Sequence, residues 1–147
     1  MWKATVTLVD EMRVVLHRLV EITDQLNAER DISAPTRAVL EFLDRNGPTT
    51  VPDIARARHV SRQHIQTLVN ELTTAGLVES LANPGHRRSS LSALTQAGVE
   101  VITSTLAAER QAIEPLLATV PADGIAAAAE TMHTIRLALE AGQETTQ

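Results

Sequence analysis

Two helix-start signals that lie close together constrain the fold of this chain more than any other feature. The run Thr50-Val51-Pro52-Asp53 matches the capping-box pattern, and Ser61 is a second N-cap residue, for a helix that ends at Ala75-Gly76. Only His59-Val60 separates the two predicted helices, so they cannot run antiparallel and must cross steeply. The crossing is held by an apolar set at helical spacing: Ile54, Ile65, Leu68, Val69 and Leu72.

Helix and strand signals flank this pair on both sides. Ser33 and Pro35 mark the start of a preceding helix, which stops at Asn46-Gly47-Pro48. Residues 77–81 and 87–94 alternate in polarity, which predicts two strands joined by a turn at residues 82–86. Three helices followed by a hairpin indicate a winged helix-turn-helix.

Longer helices are predicted at both ends of the chain. The first carries an apolar seam with steps of four and three residues, formed by Leu8, Met12, Val15, Leu19, Ile22 and Leu26. Thr95 caps a long helix with Val99, Ile102, Leu106, Ile113 and Leu117, and a last helix follows Pro121. The seam is too long and apolar to be left exposed, so it predicts a dimer interface. Packing against the last two helices of the same chain is the alternative, and we expect both.

The predicted fold class is therefore mainly α with a small β-hairpin wing. It is a winged helix-turn-helix with additional N- and C-terminal dimerisation helices. We expect residues 33–95 to form a DNA-binding domain, and residues 1–32 and 96–147 to form a helical dimerisation region.

Composition excludes several classes of function. The chain has no cysteine, which excludes disulfides, cysteine nucleophiles and thiol redox sensing. No apolar run approaches the roughly 20 residues needed to span a bilayer. Asp10 and Glu11 stand where a signal peptide would be apolar. We expect a soluble, cytoplasmic protein without a membrane partner.

Charge is unevenly distributed along the sequence. The net charge is −5, which by itself argues weakly against a nucleic-acid partner. Residues 51–95, however, contain five arginines and only three acidic residues. The acidic excess lies outside the predicted DNA-binding domain, so the net charge is a poor guide to its function.

The solvent-facing side of the fourth helix carries side chains that can read bases. Arginine pairs with guanine, glutamine with adenine, and a threonine methyl contacts thymine. Any solvated helix face is polar, so the alternative is an ordinary exposed surface. The predicted contacts on this helix are Ser61, Arg62, Gln63, His64, Gln66, Thr67 and Asn70.

Two adjacent arginines follow the hairpin turn. Arg87 and Arg88 lie in a stretch, Ala82 to Ala97, that contains no acidic residue. Because successive strand residues point to opposite faces, we expect one arginine to enter a minor groove while the other lies along a phosphate. A solvated surface pair is the alternative, but the preceding helix-turn-helix favours a DNA contact.

These residues resemble the MarR family of bacterial transcriptional regulators over nearly the whole chain. Ala75-Gly76-Leu77-Val78 is similar to the usual exit from the family's recognition helix, and Leu94-Thr95-Gln96-Ala97-Gly98 to the start of its next long helix. The stretch from Asn83 to Thr95 is similar to the wing signature, in which an Asp-x-Arg triplet precedes a leucine-threonine pair. Alignment on Leu94-Thr95 makes the triplet His86-Arg87-Arg88.

The resemblance implies specific roles and partners. Arg88 corresponds to the arginine that enters the minor groove, and His86 replaces the aspartate that orients it by a salt bridge. The family implies a homodimer formed by the first and last helices, which reads the two halves of a pseudo-palindromic operator in double-stranded DNA. It also implies a repressor released by a small aromatic effector, although with one Trp, one Phe and no Tyr the stacking walls for such a ligand are sparse.

The sequence supports three other functions less well. An enzyme is disfavoured because the sequence has no phosphate loop or nucleophile elbow, and we expect no cofactor. A metal sensor built from His and Glu stays open, although the five histidines are scattered at positions 17, 59, 64, 86 and 133. A winged-helix dimer that binds proteins rather than DNA is the main alternative.

Overall fold

The computed structural model describes residues 1–86 and 88–144 and shows a mainly helical chain with one hairpin. This confirms the predicted fold class. The chain divides into two compact units, Met1–Arg110 and Gln111–Gln147. The helices are α1 (Trp2–Ala28), α2 (Ala34–Asn46), α3 (Val51–Ala57), α4 (Arg62–Thr74), α5 (Gln96–Ile113) and α6 (Ala122–Glu144), and the strands are β1 (Val78–Ala82) and β2 (Ser90–Leu94).

Side-chain caps begin the three central helices where the sequence predicts them. The Ser33 hydroxyl accepts the backbone N–H of Thr36 and forms a complete capping box at α2. Thr50 accepts the N–H of Asp53 at α3, and Ser61 accepts the N–H of His64 at α4. Each cap satisfies a backbone donor that the first helical turn leaves unpaired.

Three helices end with the same backbone motif, in which one residue adopts a positive φ. Those residues are Asp31 after α1, His59 after α3 and Gly76 after α4, with φ values of 54°, 53° and 74°. After α3, for example, the N–H of His59 donates to the carbonyl of Arg56 and the N–H of Val60 to that of Ala55. This is the Schellman arrangement, which pairs carbonyls at a helix end. Glycine fits it without strain, whereas an aspartate or a histidine does not.

One hydrophobic core joins α2, α3, α4, β1 and α5. Its largest fully buried side chains include Leu40, Ile54, Ile65 and Ile102. The five residues predicted to hold the two central helices together are all buried, and α3 packs directly against α4. The core therefore fixes the solvent-facing side of α4 on a rigid support.

The hairpin is antiparallel, with Val78 opposite Leu94 and Leu81 opposite Leu91. Thr49 pairs with Ser92 on the other edge of β2, which anchors the hairpin to the connection between α2 and α3. The prediction that the second strand starts at residue 87 is wrong, because β2 begins at Ser90. The first strand begins one residue later than predicted, since the N–H of Leu77 is used to close the end of α4.

Close backbone contact fixes the start of α5 against the end of α4. The Thr95 hydroxyl donates to the carbonyl of Gly76 and accepts the N–H of Gly98. A Cβ atom at Gly98 would lie 2.1 Å from the carbonyl oxygen of Leu77, so only glycine fits there. The predicted extension of this helix to Leu117 is wrong: α5 stops at Ile113, ahead of Pro115, and residues 114–117 form a 3-10 turn.

A largely buried ion network ties α2 to α5. Arg37 contacts Glu41 within α2 at 3.0 Å and Glu109 of α5 at 2.5 Å. Arg37 and Glu109 are each less than one-fifth exposed, so the pair is held in an environment where charge interactions are strong.

The α1 helix leaves much of its apolar surface uncovered. Leu8, Val15 and Leu19 of the predicted seam are exposed, whereas Met12, Ile22 and Leu26 are half-buried. Among the described residues, no single helix is long and apolar enough to cross a membrane.

Candidate nucleic-acid interface

The face of α4 that points away from the core is polar and open to solvent. Ile65, Leu68, Val69 and Leu72 occupy the buried side, so the remaining positions are turned outward. The structure exposes every residue predicted on this face: Ser61, Arg62, Gln63, His64, Gln66, Thr67 and Asn70. Ser61 uses its hydroxyl to cap the helix, which makes its first role structural.

Two hydrogen bonds within α4 orient side chains on this face. The Gln66 amide nitrogen donates to Asn70 Oδ1 at 2.9 Å, and the Thr67 hydroxyl donates to the carbonyl of Gln63 at 3.0 Å. The sequence predicts these side chains on one face but not their mutual bonds. The signal that could have found the first bond is the spacing of four between Gln66 and Asn70.

Arg88 lies in the loop between the strands, not in β2. The backbone N–H of His86 donates to the carbonyl of Asn83, and the N–H of Ser89 donates to the carbonyl of His86. Two consecutive turns therefore replace the predicted start of the second strand, and strand alternation does not govern the direction of Arg88. Its side chain is exposed. Arg87, the other predicted contact, lies outside the described residues.

Asn83 closes the wing loop, a role that sequence reasoning missed. Its Oδ1 accepts the N–H of Gly85 at 3.0 Å, while its Nδ2 donates across the loop to Ser89 Oγ at 3.0 Å. Asn83 and Ser89 are half-buried, and with Arg88 they line a shallow cavity. The signal was an asparagine directly before Pro84-Gly85, a sequence that favours a side-chain-closed turn.

The charges around this surface are arranged so that arginines stay available. Arg56 is paired with Asp53, and hydrogen bonds from Thr50 and then Arg56 hold the pKa of the Asp53 carboxyl below its ordinary value. Within the described part of the chain, Arg62 and Arg88 are exposed and show no ion pair with a carboxylate. An exposed arginine without an internal carboxylate partner can bind phosphates or base edges.

A cavity of about 610 Å³ opens where α1 ends and α2 begins. Glu71, Leu72 and Ala75 of α4 form another part of its wall, so it touches the helix that carries the polar face. It has no aromatic residue in its lining, as expected from the scarcity of aromatic residues in the chain. The lining residues are Ala28, Asp31, Ile32, Ser33, Thr36, Glu71, Leu72, Ala75 and Leu77.

The described residues contain no group of three or more His, Asp or Glu side chains placed to hold a metal ion. The metal-sensor hypothesis therefore finds no cluster of ligands in residues 1–86 and 88–144.

Comparison with known proteins finds one family model that matches the central segment. Residues 30–89 match the MarR family model. The uncharacterized protein Rv2011c of Mycobacterium tuberculosis is 45% identical over 53 residues, which is 36% of this chain. That match spans only 37% of the length of the mycobacterial protein.

Solved structures match along nearly the whole chain. A MarR family protein from Bacillus stearothermophilus superposes with a TM-score of 0.83 at 14% identity and covers 95% of this chain and 98% of its own. Staphylococcus aureus MarR in complex with salicylate and kanamycin superposes with a TM-score of 0.84 at 14% identity, covering 93% of each chain. The MarR family transcription regulator SP03579 is 26% identical, with a TM-score of 0.78, and covers 94% of this chain and 89% of its own.

Proposed function

Because residues 30–89 match the MarR family model and the chain has the fold of solved MarR structures, we propose that it is a dimeric, sequence-specific DNA-binding regulator. The observation that carries the proposal is the fully exposed polar face of α4, which is free of acidic residues from Ser61 to Asn70. On the same core-supported unit, the wing presents an exposed Arg88.

The two parts of the surface suit the two grooves of a duplex. A helix fits the major groove, where Arg62, Gln63 and Gln66 can bond to base edges and Thr67 can contact a thymine methyl. Arg88 at the tip of the wing suits the minor groove, with its strongly negative potential. Ser61, His64, Asn70 and Arg87 complete the proposed contact set.

The exposed apolar side of α1 is suited to pack against a second copy of the chain. Side chains such as Val15 and Leu16 are more than half exposed, which is unfavourable for a stable single chain in water. We assign dimerisation to residues 1–32 and 96–147 and DNA binding to residues 33–95. Apart from Ile102 of α5, the buried residues of the hydrophobic core lie between Val39 and Val78, which supports a DNA-binding unit with most of its own packing.

We further propose that the protein is a repressor released by a small molecule. The cavity at the α1–α2 junction contacts the C-terminal part of α4, so a ligand there can change the position of the polar face. The S. aureus relative is described in complex with salicylate. Because the lining of this cavity has no aromatic ring, we expect a compact, partly polar ligand and not one that is bound by stacking.

Selection of bound sequences from a random duplex pool tests the proposal. We expect a pseudo-palindrome bound by two chains. Arg88→Ala should weaken binding to it, whereas Arg45→Ala should not, because the exposed Arg45 is already paired with Glu41 on α2 and lies outside the proposed contact set. A dimer that enriches no sequence and binds no duplex would instead be a winged-helix module for protein contact.

A further inference from the structure

We propose that Asn70 is a positioning residue that orients the amide of Gln66 to read adenine in an A·T base pair. The inference rests on the proposed DNA-binding function and adds a base preference to it. Its basis is the bond of 2.9 Å from Gln66 Nε2 to Asn70 Oδ1, one helical turn away on the exposed face of α4.

The bond is formed with the Gln66 amide in one particular orientation. A glutamine amide has one oxygen acceptor and two N–H donors, and a free side chain can present either end to a base. In the observed pair Asn70 Oδ1 is the acceptor, so the nitrogen of Gln66 lies on the side of Asn70, toward the C-terminus of α4. The oxygen of Gln66 is then directed away from Asn70.

The edge needed for adenine stays free in this arrangement. Bidentate pairing uses the amide oxygen to accept from adenine N6 and one N–H to donate to N7. The second N–H of the same nitrogen is the one available for Asn70. Gln66 can therefore satisfy both partners at once, whereas a guanine would place an acceptor opposite the Gln66 oxygen.

Neighbouring groups support an A·T preference at this part of the helix. The Thr67 hydroxyl donates to the carbonyl of Gln63, so the methyl group is the part of Thr67 with no internal bond. A threonine methyl is suited to contact the thymine methyl in the major groove. Glu71, the first acid along α4, follows Asn70, so no carboxylate between Ser61 and Asn70 competes for the adenine amino group.

Holding one long side chain in its binding geometry removes part of the entropy lost on association. For one such side chain this corresponds to a factor of about two to ten in affinity. We expect the effect to appear as discrimination at one base pair in each half-site.

Competition between the selected duplex and its single-base variants tests the assignment. Wild type should prefer A over G at one position per half-site by about tenfold. Gln66→Ala should abolish that preference, and Asn70→Ala should reduce it by a factor of about two to five at the same position without abolishing it. Gln96→Ala removes another glutamine with an i,i+4 side-chain bond, to Glu100 on α5, and should leave the preference unchanged.

Asn70→Asp separates positioning from direct contact. The aspartate keeps an oxygen that accepts from Gln66, so the ratio of A to G affinities should be retained. Total affinity should fall for all sequences, because a negative charge is added near the phosphates. Circular dichroism should show the same melting temperature for the two Asn70 variants and wild type to within a few degrees, since Asn70 is exposed.

Three results would overturn the inference. The first is that Asn70→Ala keeps the full preference for A. The second is that Asn70→Ala loses preference at a different position from Gln66→Ala. The third is that Asn70→Asp loses as much preference as Asn70→Ala. Each of these leaves the proposed function intact, because a selected palindrome is still bound. Failure of wild type to select any duplex would instead contradict the proposed function itself.

Discussion

Asn83 closes the wing loop that carries Arg88. His86, which aligns with the aspartate of the wing signature in the resemblance drawn from the sequence, contributes two backbone hydrogen bonds within the loop. Asn83 forms one side-chain bond within the first turn and one across the loop to Ser89. The loop is thereby held by an amide at its start instead of by an acid beside the arginine.

Replacing Asn83 tests this account of the wing. Asn83→Ala should lower affinity for the selected duplex about three- to tenfold, because Arg88 must then be ordered during binding. Fluorescence anisotropy with labelled duplex measures the change. Asn46→Ala is the matched control, since Asn46 also donates its amide, to the carbonyl of Phe42 at the end of α2. Equal affinities of the two variants would contradict the role given to Asn83.

His59 carries backbone strain in the turn between α3 and α4. Its φ of 53° is unfavourable for a residue with a Cβ, and glycine adopts it freely. His59→Gly should raise the free energy of unfolding by about 0.5–1 kcal/mol after the greater entropy of glycine is counted. Urea denaturation at fixed protein concentration measures this. The control is His64→Gly, inside α4, which should lower the free energy of unfolding by about 1 kcal/mol. A loss of stability in both variants would contradict the strain assigned to His59.

At the scale of the elements, local chemistry makes most of the fold predictable. Ser33, Thr50 and Ser61 cap their helices as expected, because an N-cap depends only on the residues of the first turn. The buried side of α4 follows from its apolar spacing, and the exposed side follows by exclusion. Those exposures are confirmed, while contact with DNA stays a prediction.

The wing is the element that sequence periodicity could not place. Residues 87–94 alternate well enough to resemble a strand throughout, yet β2 starts at Ser90. The difference arises because Ser89 is bonded to Asn83 through its side chain and to the carbonyl of His86 through its backbone N–H, so the loop continues up to the start of β2. Such bonds depend on the folded geometry and leave no periodic signal.

The start of α3 supplies a pH-dependent contribution to stability. Hydrogen bonds from Thr50 and then Arg56 lower the pKa of Asp53 in the folded state. A lowered folded-state pKa stabilises the protein above the unfolded pKa, and this stabilisation is lost as the pH falls through the folded pKa.

Asp53→Asn tests that contribution. The variant should be less stable than wild type at neutral pH, and the difference should shrink as the pH falls below about 4. Thermal unfolding of both proteins across this pH range measures it. Asp24→Asn on α1 provides a matched control, because Asp24 is exposed and shows no ion pair among the described residues. A stability difference for Asp53→Asn that is constant down to pH 3 would contradict the assignment.

At the scale of the whole molecule, the net charge of −5 conceals two unlike parts. The arginines of residues 51–95 outnumber the acids there, and the acidic excess lies in the rest of the chain. Under the proposed function, we expect DNA binding to depend on local phosphate contacts and on the two copies of the DNA-binding domain in the proposed dimer. Weak non-specific binding should follow from the overall negative charge.

The most direct test of the central claim is the salt dependence of duplex binding by the purified protein. The account predicts that two chains bind the selected duplex and that affinity falls by a factor of roughly 10³ between about 50 mM and about 200 mM salt, as six or more phosphate contacts require. Affinity that does not change with salt, or an absence of duplex binding at the lowest salt concentration, would contradict it.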